Sequence, residues 1–178
     1  MPKGTVDPGR PLRIALAALE VVAAKGVEGL THRAVAAVAE IPLGSTTYHF
    51  KTLDDLLAAA ILEAKRATDA ELEAWAESIA PDTDLVQAVT DYVMNALTLH
   101  WDRTVVEHEL YTAALRRPQL RGLSREWDEA FPVALAQYTD EVTALAVALV
   151  VDGMFVRGLI HGVPERREVE DVLRLLLD

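Results

Sequence analysis

The sequence predicts an all-α fold, and three observations support that prediction. Apolar residues recur at spacings of three and four along most of the chain, which is the period of a helix with one buried face. No segment alternates apolar and polar residues for long enough to form a convincing strand. Pro81, Pro118 and Pro164 separate the periodic segments, so these segments are expected to form distinct helices.

The first part of the chain predicts a flexible arm followed by three helices. Residues 1–11 contain two glycines and three prolines, a composition that disfavours regular structure. A helix is expected from residue 12 until Gly26 ends it. Thr31 is an N-cap residue for a second helix that reaches residue 39, with Val35 and Val38 facing inward. Pro42 fits the first turn of a third helix that ends near residue 49.

Six longer helices are expected in the remainder. Thr52 and Asp55 have the spacing of a capping box, and they begin a helix that extends to about residue 79. The other five are expected over residues 85–99, 103–116, 120–138, 141–161 and 165–177. The predicted chain therefore has nine helices.

Composition limits the class of protein. Hydrophobic residues make up 51% of the 178 residues, which excludes a disordered chain. The absence of cysteine excludes disulfides, thiolate metal sites and cysteine nucleophiles. The longest apolar run, residues 142–151, is too short to cross a bilayer and has acidic neighbours. We therefore expect a cytoplasmic protein with no membrane association, no cofactor and no metal.

Charge is distributed unevenly along the chain. The net charge is −11, yet residues 1–51 contain six basic and four acidic residues, while residues 52–178 contain 11 basic and 24 acidic residues. A mildly basic head on an acidic body suits a protein that contacts DNA through its N-terminal part.

Residues 14–57 predict a three-helix DNA-binding unit. The last of the three helices in such a unit lies in the major groove, so its outward face is expected to be small and polar. Gly44 would let the backbone approach DNA closely, and the hydroxyl groups nearby can bond phosphates or base edges. This face draws on Leu43, Gly44, Ser45, Thr46, Thr47, Tyr48 and His49.

The same residues resemble the signature of the TetR family, without gaps over about the first third of the chain. The matching positions are Ile14, Ala17, Ala18, Leu19, Val21, Val22, Gly26, Leu30, Thr31, Arg33, Val35, Ala36, the segment 41–50, Leu56 and Leu57.

The resemblance implies a nine-helix homodimer. The function it implies is a repressor that binds a palindromic double-stranded DNA operator. A small-molecule effector would move the two heads apart and release the operator. Residues 1–51 would then form the helix-turn-helix DNA-binding domain, and residues 52–178 the ligand-binding and dimerisation domain.

The resemblance also implies a role for each residue of the DNA-binding surface. Base readout is expected from Leu43, Ser45 and Thr46. Phosphate contacts are expected from Thr31, Thr47, Tyr48, His49 and Lys51, and Arg33 is expected to reach a phosphate or a base edge. Alternatives remain for two of them, because Arg33 could be a solvated surface residue and His49 could cap its own helix. Phe50 is expected to be a core residue.

Three positions depart from the family pattern. Glu40 replaces a glycine that is usual in the turn, and Thr47 replaces a usual tyrosine, with Tyr48 one place later. Leu53 replaces a lysine that often contacts phosphate, and Lys51 could substitute for it in part.

The last two predicted helices are candidates for the dimer interface. The segment 139–162 is apolar on nearly all sides, so it must be covered on more than one side. The resemblance places the interface on these two helices, which could form half of a four-helix bundle. Its expected residues are Leu145, Leu149, Phe155, Leu159, Val172 and Leu176. The alternative is an ordinary monomer core.

A ligand cavity is expected among the aromatic and polar residues of the middle helices. The wider set of candidates is Trp75, Tyr92, Met94, His100, Trp101, His108, Tyr111, Trp127, Phe131, Met154 and Phe155. The preferred five are Tyr92, Trp101, His108, Tyr111 and Trp127. Each of them could instead be a plain core residue.

Two other classes of protein compete with a regulator. A metal-dependent helical enzyme could use His100, Glu107, His108 and Glu109. However, Thr112 occupies the place where a zinc-protease motif needs its second histidine, so we do not expect an enzyme. The second alternative is a helical interaction protein that has lost DNA binding.

Overall fold

The computed structural model describes residues 7–80 and 82–178, and within them every regular element is helical. This confirms the all-α prediction. The α-helices are α1 (Arg10–Lys25), α2 (His32–Val38), α3 (Leu43–His49), α4 (Leu53–Ser78), α5 (Leu85–Thr98), α6 (Trp101–Ala113), α7 (Arg121–Asp128), α8 (Ala130–Leu135), α9 (Glu141–His161) and α10 (Arg166–Leu177).

The beginning of α1 differs from the predicted arm. Residues 1–6 of that arm lie outside the described residues. Arg10 and Pro11 already belong to the helix, because a proline in the first turn has no N–H to lose. Just before it, a carboxylate oxygen of Asp7 accepts a hydrogen bond from the backbone N–H of Gly9 at 3.1 Å.

A single helix was expected over residues 120–138, but the structure divides it into α7 and α8 at Glu129. Pro132 explains the break. It lacks the N–H that would bond the carbonyl of Asp128, and its ring crowds that carbonyl. Pro132 is therefore the signal in the sequence that marks the end of α7 and the start of α8.

The chain divides into two compact units. The first contains the described residues up to Ala64 together with residues 109–123. Its core is formed by the apolar face of α1, by Val35 and by the start of α4, where Leu56, Leu57 and Ile61 are fully buried. Val35 faces inward as expected, whereas Val38 is 42% exposed.

The second unit contains residues 65–108 and 124–178. Helices α5, α9 and α10 pack against one another, and α8 packs on α9. The contact between α9 and α5 is close, because a Cβ at Gly158 would lie 2.6 Å from a methyl carbon of Leu97. The predicted functional division between residues 51 and 52 stays a prediction.

The turn between α2 and α3 has a strained residue. Glu40 has a φ of 53°, which lies in the left-handed region where a Cβ is unfavourable. It is also the position where the family pattern usually has glycine. The next residue closes the turn, since the N–H of Ile41 donates to the carbonyl of Ala36 at 3.0 Å.

We therefore expect Glu40→Gly to stabilise the protein by about 0.5–1 kcal/mol, because the gain from relieved strain exceeds the entropy of a freer unfolded chain. Thermal unfolding at fixed protein concentration measures it. The matched control is Glu20→Gly at an exposed position inside α1, which should lower stability by about 1 kcal/mol. Equal losses in both variants would contradict the strain at residue 40.

Candidate functional site

Helix α3 presents a small exposed face at the surface of the first unit. Leu43 and Tyr48 are 44% and 72% exposed, and Gly44 and Thr47 are also exposed. Leu43 and Thr47 are four positions apart, and so are Gly44 and Tyr48. The two residues of each pair therefore lie on the same side of the helix. Ser45 is only half-buried. The exposed face therefore combines one apolar, one aromatic and one hydroxyl side chain around a glycine.

Thr46 corrects the expected set. It is completely buried, and its hydroxyl donates to the carbonyl of Leu43 at 2.8 Å. A side chain in that position cannot reach a base edge, so its assignment to base readout is wrong. The physical reason is the helical period, which turns one residue of the run 45–47 inward to anchor α3 on its own unit.

An aromatic and cationic group follows at the end of α3. The rings of Tyr48 and His49 meet edge to face with centroids 5.0 Å apart. The ammonium of Lys51 lies 5.5 Å from the centre of the Tyr48 ring, a distance at which a cation and a ring attract one another. Tyr48 therefore holds a positive charge beside the exposed face of α3. Among the described residues, the end of α3 is capped by the N–H of Phe50, which donates to the carbonyl of Thr46, and not by the His49 ring.

The start of α2 adds two exposed polar side chains. The Thr31 hydroxyl oxygen accepts a hydrogen bond from the N–H of Ala34 at 3.0 Å, which confirms the predicted N-cap. Its hydroxyl hydrogen remains able to donate to a phosphate. Arg33 is exposed on the first turn of α2.

Polar contacts hold this unit in shape. Thr52 and Asp55 form the predicted capping box, with bonds of 2.8 and 3.1 Å, and the N–H of Thr52 lowers the pKa of Asp55. Asp54 accepts from Arg117 at 3.1 Å, and Glu109 accepts from the N–H of Val27 at 3.2 Å. Phe50, expected in the core, is half-buried.

The second unit encloses a cavity of about 150 Å³. Its lining combines aromatic rings, two carboxylates, a guanidinium and small polar groups. The lining residues are Thr68, Glu71, Leu72, Trp75, Tyr92, Asn95, Ala96, His100, Arg103, Thr104, Glu107 and Phe155.

Aromatic rings form a continuous cluster on one side of this cavity. The ring of Tyr92 lies 5.3 Å from that of Trp75, 5.0 Å from that of Phe131 and 6.1 Å from that of Phe155, measured between centroids. The Tyr92 and Phe131 rings are stacked with only 17° between their planes. Burial raises the pKa of the Tyr92 phenol, so this ring stays neutral. Trp75, Tyr92 and Phe155 line the cavity, and the Tyr92 ring is inclined by 48° to that of Trp75 and by 60° to that of Phe155. Together they give one side of the cavity an aromatic, apolar surface suited to an aromatic ligand.

Charged groups face the cavity from α4 and α6. Glu107 accepts a hydrogen bond from the hydroxyl of Thr68 at 2.8 Å, and Arg103 forms ion pairs with Glu71 and with Glu107. Burial raises the pKa of the Glu107 carboxyl above its ordinary value, which outweighs the opposite effects of Thr68 and Arg103. The charged lining has two acids and one base, so its net charge is negative when both acids are ionised.

Of the five preferred cavity residues, the structure places only Tyr92 in this lining. Trp101 packs against the core of the second unit, and the His108 ring meets Phe155 edge to face while its Nδ1 bonds the Thr104 carbonyl. Tyr111 belongs to the first unit, and Trp127 is half-buried on α7. The structure does not bring these four residues into the cavity lining, and their role in ligand binding stays a prediction.

The cavity also contains residues that the sequence analysis missed or ranked lower. Trp75, His100 and Phe155 belonged to the wider set, whereas Thr68, Glu71, Arg103 and Glu107 were not expected to line a ligand cavity. One signal could have found three of them. Glu71, Arg103 and Glu107 interrupt helix faces that carry apolar residues at nearby positions, and charges there need a partner or a cavity.

An apolar stripe runs along the outer side of α9. Its members recur with helical spacing, and each is at least 45% exposed: Val142, Leu145, Leu149, Val156 and Ile160. On α10, Val172 and Leu175 are 39% and 84% exposed. A set of aliphatic side chains on one helix face is a candidate protein interface. We call the five α9 residues the α9 stripe.

The predicted interface residues divide between this outer side and the core. Leu145, Leu149 and Val172 are exposed, and Leu159 and Leu176 are partly buried against the core. Phe155 is 8% exposed within the core itself, so its assignment to the interface is wrong. A helix that is apolar on all sides does not show which side faces its own chain.

Helix α9 is long and apolar enough, by length and composition alone, to cross a membrane. Core helices pass the same test, and one side of α9, with Ala144, Val147, Val151 and Phe155, is buried in the second unit. Its composition is therefore weak evidence for a membrane span.

Within residues 7–80 and 82–178, no three histidine or acidic side chains are arranged to hold a metal ion. His108 and Glu107, considered above for a metal site, instead contact Thr104 and Thr68.

Comparisons with known proteins identify the family. Residues 80–178 match the family described as Tetracyclin repressor-like, C-terminal domain. No curated protein sequence matches the chain. Among solved structures, the multidrug binding protein EbrR complexed with imidazole is 41% identical, with 97% of each chain covered and a TM-score of 0.87.

Two further structures give the same result. EbrR complexed with ethidium is 40% identical over 95% of this chain and 99% of that chain, with a TM-score of 0.85. The TetR family member SCO1917 from Streptomyces coelicolor A3 is 41% identical over 96% of this chain and 99% of that chain, with a TM-score of 0.82. The chain belongs to the TetR family of transcriptional regulators.

Proposed function

We propose that this regulator is a cytoplasmic repressor that binds a palindromic operator as a homodimer and is released by planar, cationic aromatic compounds. The cavity is the observation that carries the proposal. It combines the ring cluster around Tyr92 with the carboxylates of Glu71 and Glu107. A flat aromatic cation needs both features, because rings stack on it and carboxylates balance its charge.

Similarity supports this ligand class. EbrR, which is 40–42% identical over nearly the whole chain, has been solved with ethidium and with proflavin, and both are planar aromatic cations. The cavity of about 150 Å³ is smaller than the roughly 300–1,000 Å³ of typical drug-sized sites, so binding requires that lining side chains move.

Exposed and half-buried residues on α2, on α3 and beside these helices support DNA binding. Leu43, Gly44 and Thr47 offer contacts to base edges or close backbone approach, and Thr31, Arg33, Ser45, Tyr48, His49 and Lys51 complete the proposed surface. Direct contact with phosphates would release counterions, so operator affinity should fall steeply with salt.

The α9 stripe supports a homodimer, since a second copy would cover the same aliphatic residues on both chains. A two-fold assembly is also what reading a palindrome requires. The proposed dimer surface comprises the α9 stripe together with Val172 and Leu175.

The experiment is a titration of the purified protein against DNA from upstream of its own gene, followed by fluorescence anisotropy at several salt concentrations. We expect specific binding that weakens with salt and is reversed by ethidium. Binding that ignores salt would contradict the DNA surface, and complexes that persist at saturating ethidium would contradict release by this ligand class.

Thr46 and Thr47 give a matched test of the groove assignment. Thr46→Val should leave operator affinity unchanged and lower stability by about 1 kcal/mol, because only a buried intrahelical hydrogen bond is lost. Thr47→Val removes an exposed hydroxyl and should lower operator affinity about five- to tenfold. Anisotropy and thermal unfolding measure the two effects. A larger loss of affinity for Thr46→Val than for Thr47→Val would show that α3 does not face DNA as proposed.

A further inference from the structure

Arg103 occupies the acidic end of the cavity. Its guanidinium forms an ion pair with Glu71 on α4, and its Nε lies 3.5 Å from a carboxylate oxygen of Glu107, one turn along α6. All three side chains line the cavity. The two carboxylates that would balance a bound cation are therefore already paired with a cation of the protein.

Glu107 and Arg103 differ in how freely they can move. The Glu107 side chain is 17% exposed and is fixed by the Thr68 hydroxyl at 2.8 Å, so it stays in place. The Arg103 side chain is 35% exposed and has a long flexible stem, so it can swing away from the cavity. Its departure would leave a negative charge and additional space in the same place.

From this geometry we propose that Arg103 is a resident cation of the cavity, which a cationic aromatic ligand must displace from Glu71 and Glu107. The inference rests on the proposed ligand class and adds a residue that sets its affinity. A neutral aromatic ligand gains nothing from the released carboxylates. Arg103 therefore lowers affinity for cations specifically, and it sets the concentration at which a cation is sensed.

Removing Arg103 tests this through the ratio of two affinities. Ethidium is a permanent cation, and acridine at pH 8 is a neutral planar aromatic. Additional space would help both probes, whereas freed carboxylates help only ethidium. For Arg103→Met, we expect the ratio of ethidium to acridine affinity to rise about tenfold, which corresponds to one charge-assisted interaction.

Two other variants complete the experiment. Arg103→Gln keeps a donor for the buried carboxylate if the methionine variant folds poorly, and the same rise in the ratio is expected. Arg125→Met is the matched control, because it removes an exposed positive charge on α7 that is not part of the cavity lining. The ratio of ethidium to acridine affinity in Arg125→Met should equal the ratio in the wild type. Fluorescence titrations give the affinities, and circular dichroism confirms folding.

The outcomes separate the inference from the proposed function. If the wild type binds ethidium and both Arg103 variants keep its affinity ratio, the resident-cation inference is wrong and the ligand class stands. If neither the wild type nor any variant binds ethidium, the ligand class is wrong and the inference with it.

Discussion

Replacing Leu149 by glutamate should convert the proposed dimer to a monomer and strongly weaken operator binding. Leu149 is 63% exposed at the middle of the α9 stripe. In a symmetric interface the substitution introduces two like charges, each of which loses its hydration against apolar side chains. We expect sedimentation to report a single monomer species at micromolar concentration.

Operator affinity should fall at least about 100-fold in this variant. A dimer binds its second half-site at a high effective concentration, and two separate monomers lose that advantage. Leu99→Glu is the matched control, because Leu99 is a 74% exposed leucine of the same unit outside the α9 stripe. A Leu149→Glu protein that remains dimeric would refute this interface.

Phe155 distinguishes loss of the dimer from loss of the fold. Its ring contacts Tyr92 and His108 within the core of one chain. Phe155→Ala should therefore lower the free energy of unfolding by about 3–5 kcal/mol through a cavity in the core. At temperatures where this variant remains folded, it should still dimerise, unlike Leu149→Glu.

Capping and turn residues made most of the predicted DNA-binding unit predictable from its sequence. Thr31, Thr52 and Asp55 cap their helices as expected, because capping depends on residues only three positions apart. Glu40 has the left-handed backbone that the usual glycine indicated. Each of these features is determined by a few neighbouring residues.

The orientation of individual side chains was less predictable. The run of three hydroxyl residues from Ser45 to Thr47 looks uniformly polar, yet the helical period buries Thr46. On α9 the apolar residues surround the helix, so the sequence does not distinguish Phe155 in the core from Leu149 outside. In both cases, whether a side chain is buried or exposed depends on which neighbouring helix covers each side.

The cavity was the least predictable feature. It combines residues from α4, α5, α6 and α9 that are far apart in sequence, and only the packing of these helices brings them together. Aromatic content alone favoured Trp101 and Trp127, but the carboxylates and Arg103 give the cavity its charge. Residues of this kind look like an ordinary solvated face when only one helix is considered.

Glu107→Gln should change ligand binding and stability in opposite directions. The substitution removes a carboxylate from the cavity but keeps a side-chain oxygen that can accept the bond from Thr68. We expect ethidium affinity to fall about 10- to 100-fold, which is the effect of losing one interaction with a charged group. The unliganded variant should be more stable than the wild type near neutral pH.

The stability gain follows from the pKa of Glu107, which burial raises above the ordinary 4.5. As pH rises from that value through the raised pKa, the unfolded state loses its proton before the folded state does. The wild type therefore loses stability over this range, and the loss is complete above the raised pKa. Glutamine does not titrate, so the variant's advantage should disappear below about pH 4.5, where both forms of Glu107 are neutral.

Thermal unfolding from pH 4 to 8 and ethidium titration at pH 8 measure the two effects. The control is Glu73→Gln, because Glu73 is an exposed acid on α4 that is not part of the cavity lining. The thermal stability and the ethidium affinity of this control should match those of the wild type. If Glu107→Gln lost stability at pH 7 together with affinity, the carboxylate would be a structural group. A gain in stability with a loss of affinity instead shows that the protein keeps a buried charge at the expense of its own fold, because a cationic ligand needs that charge.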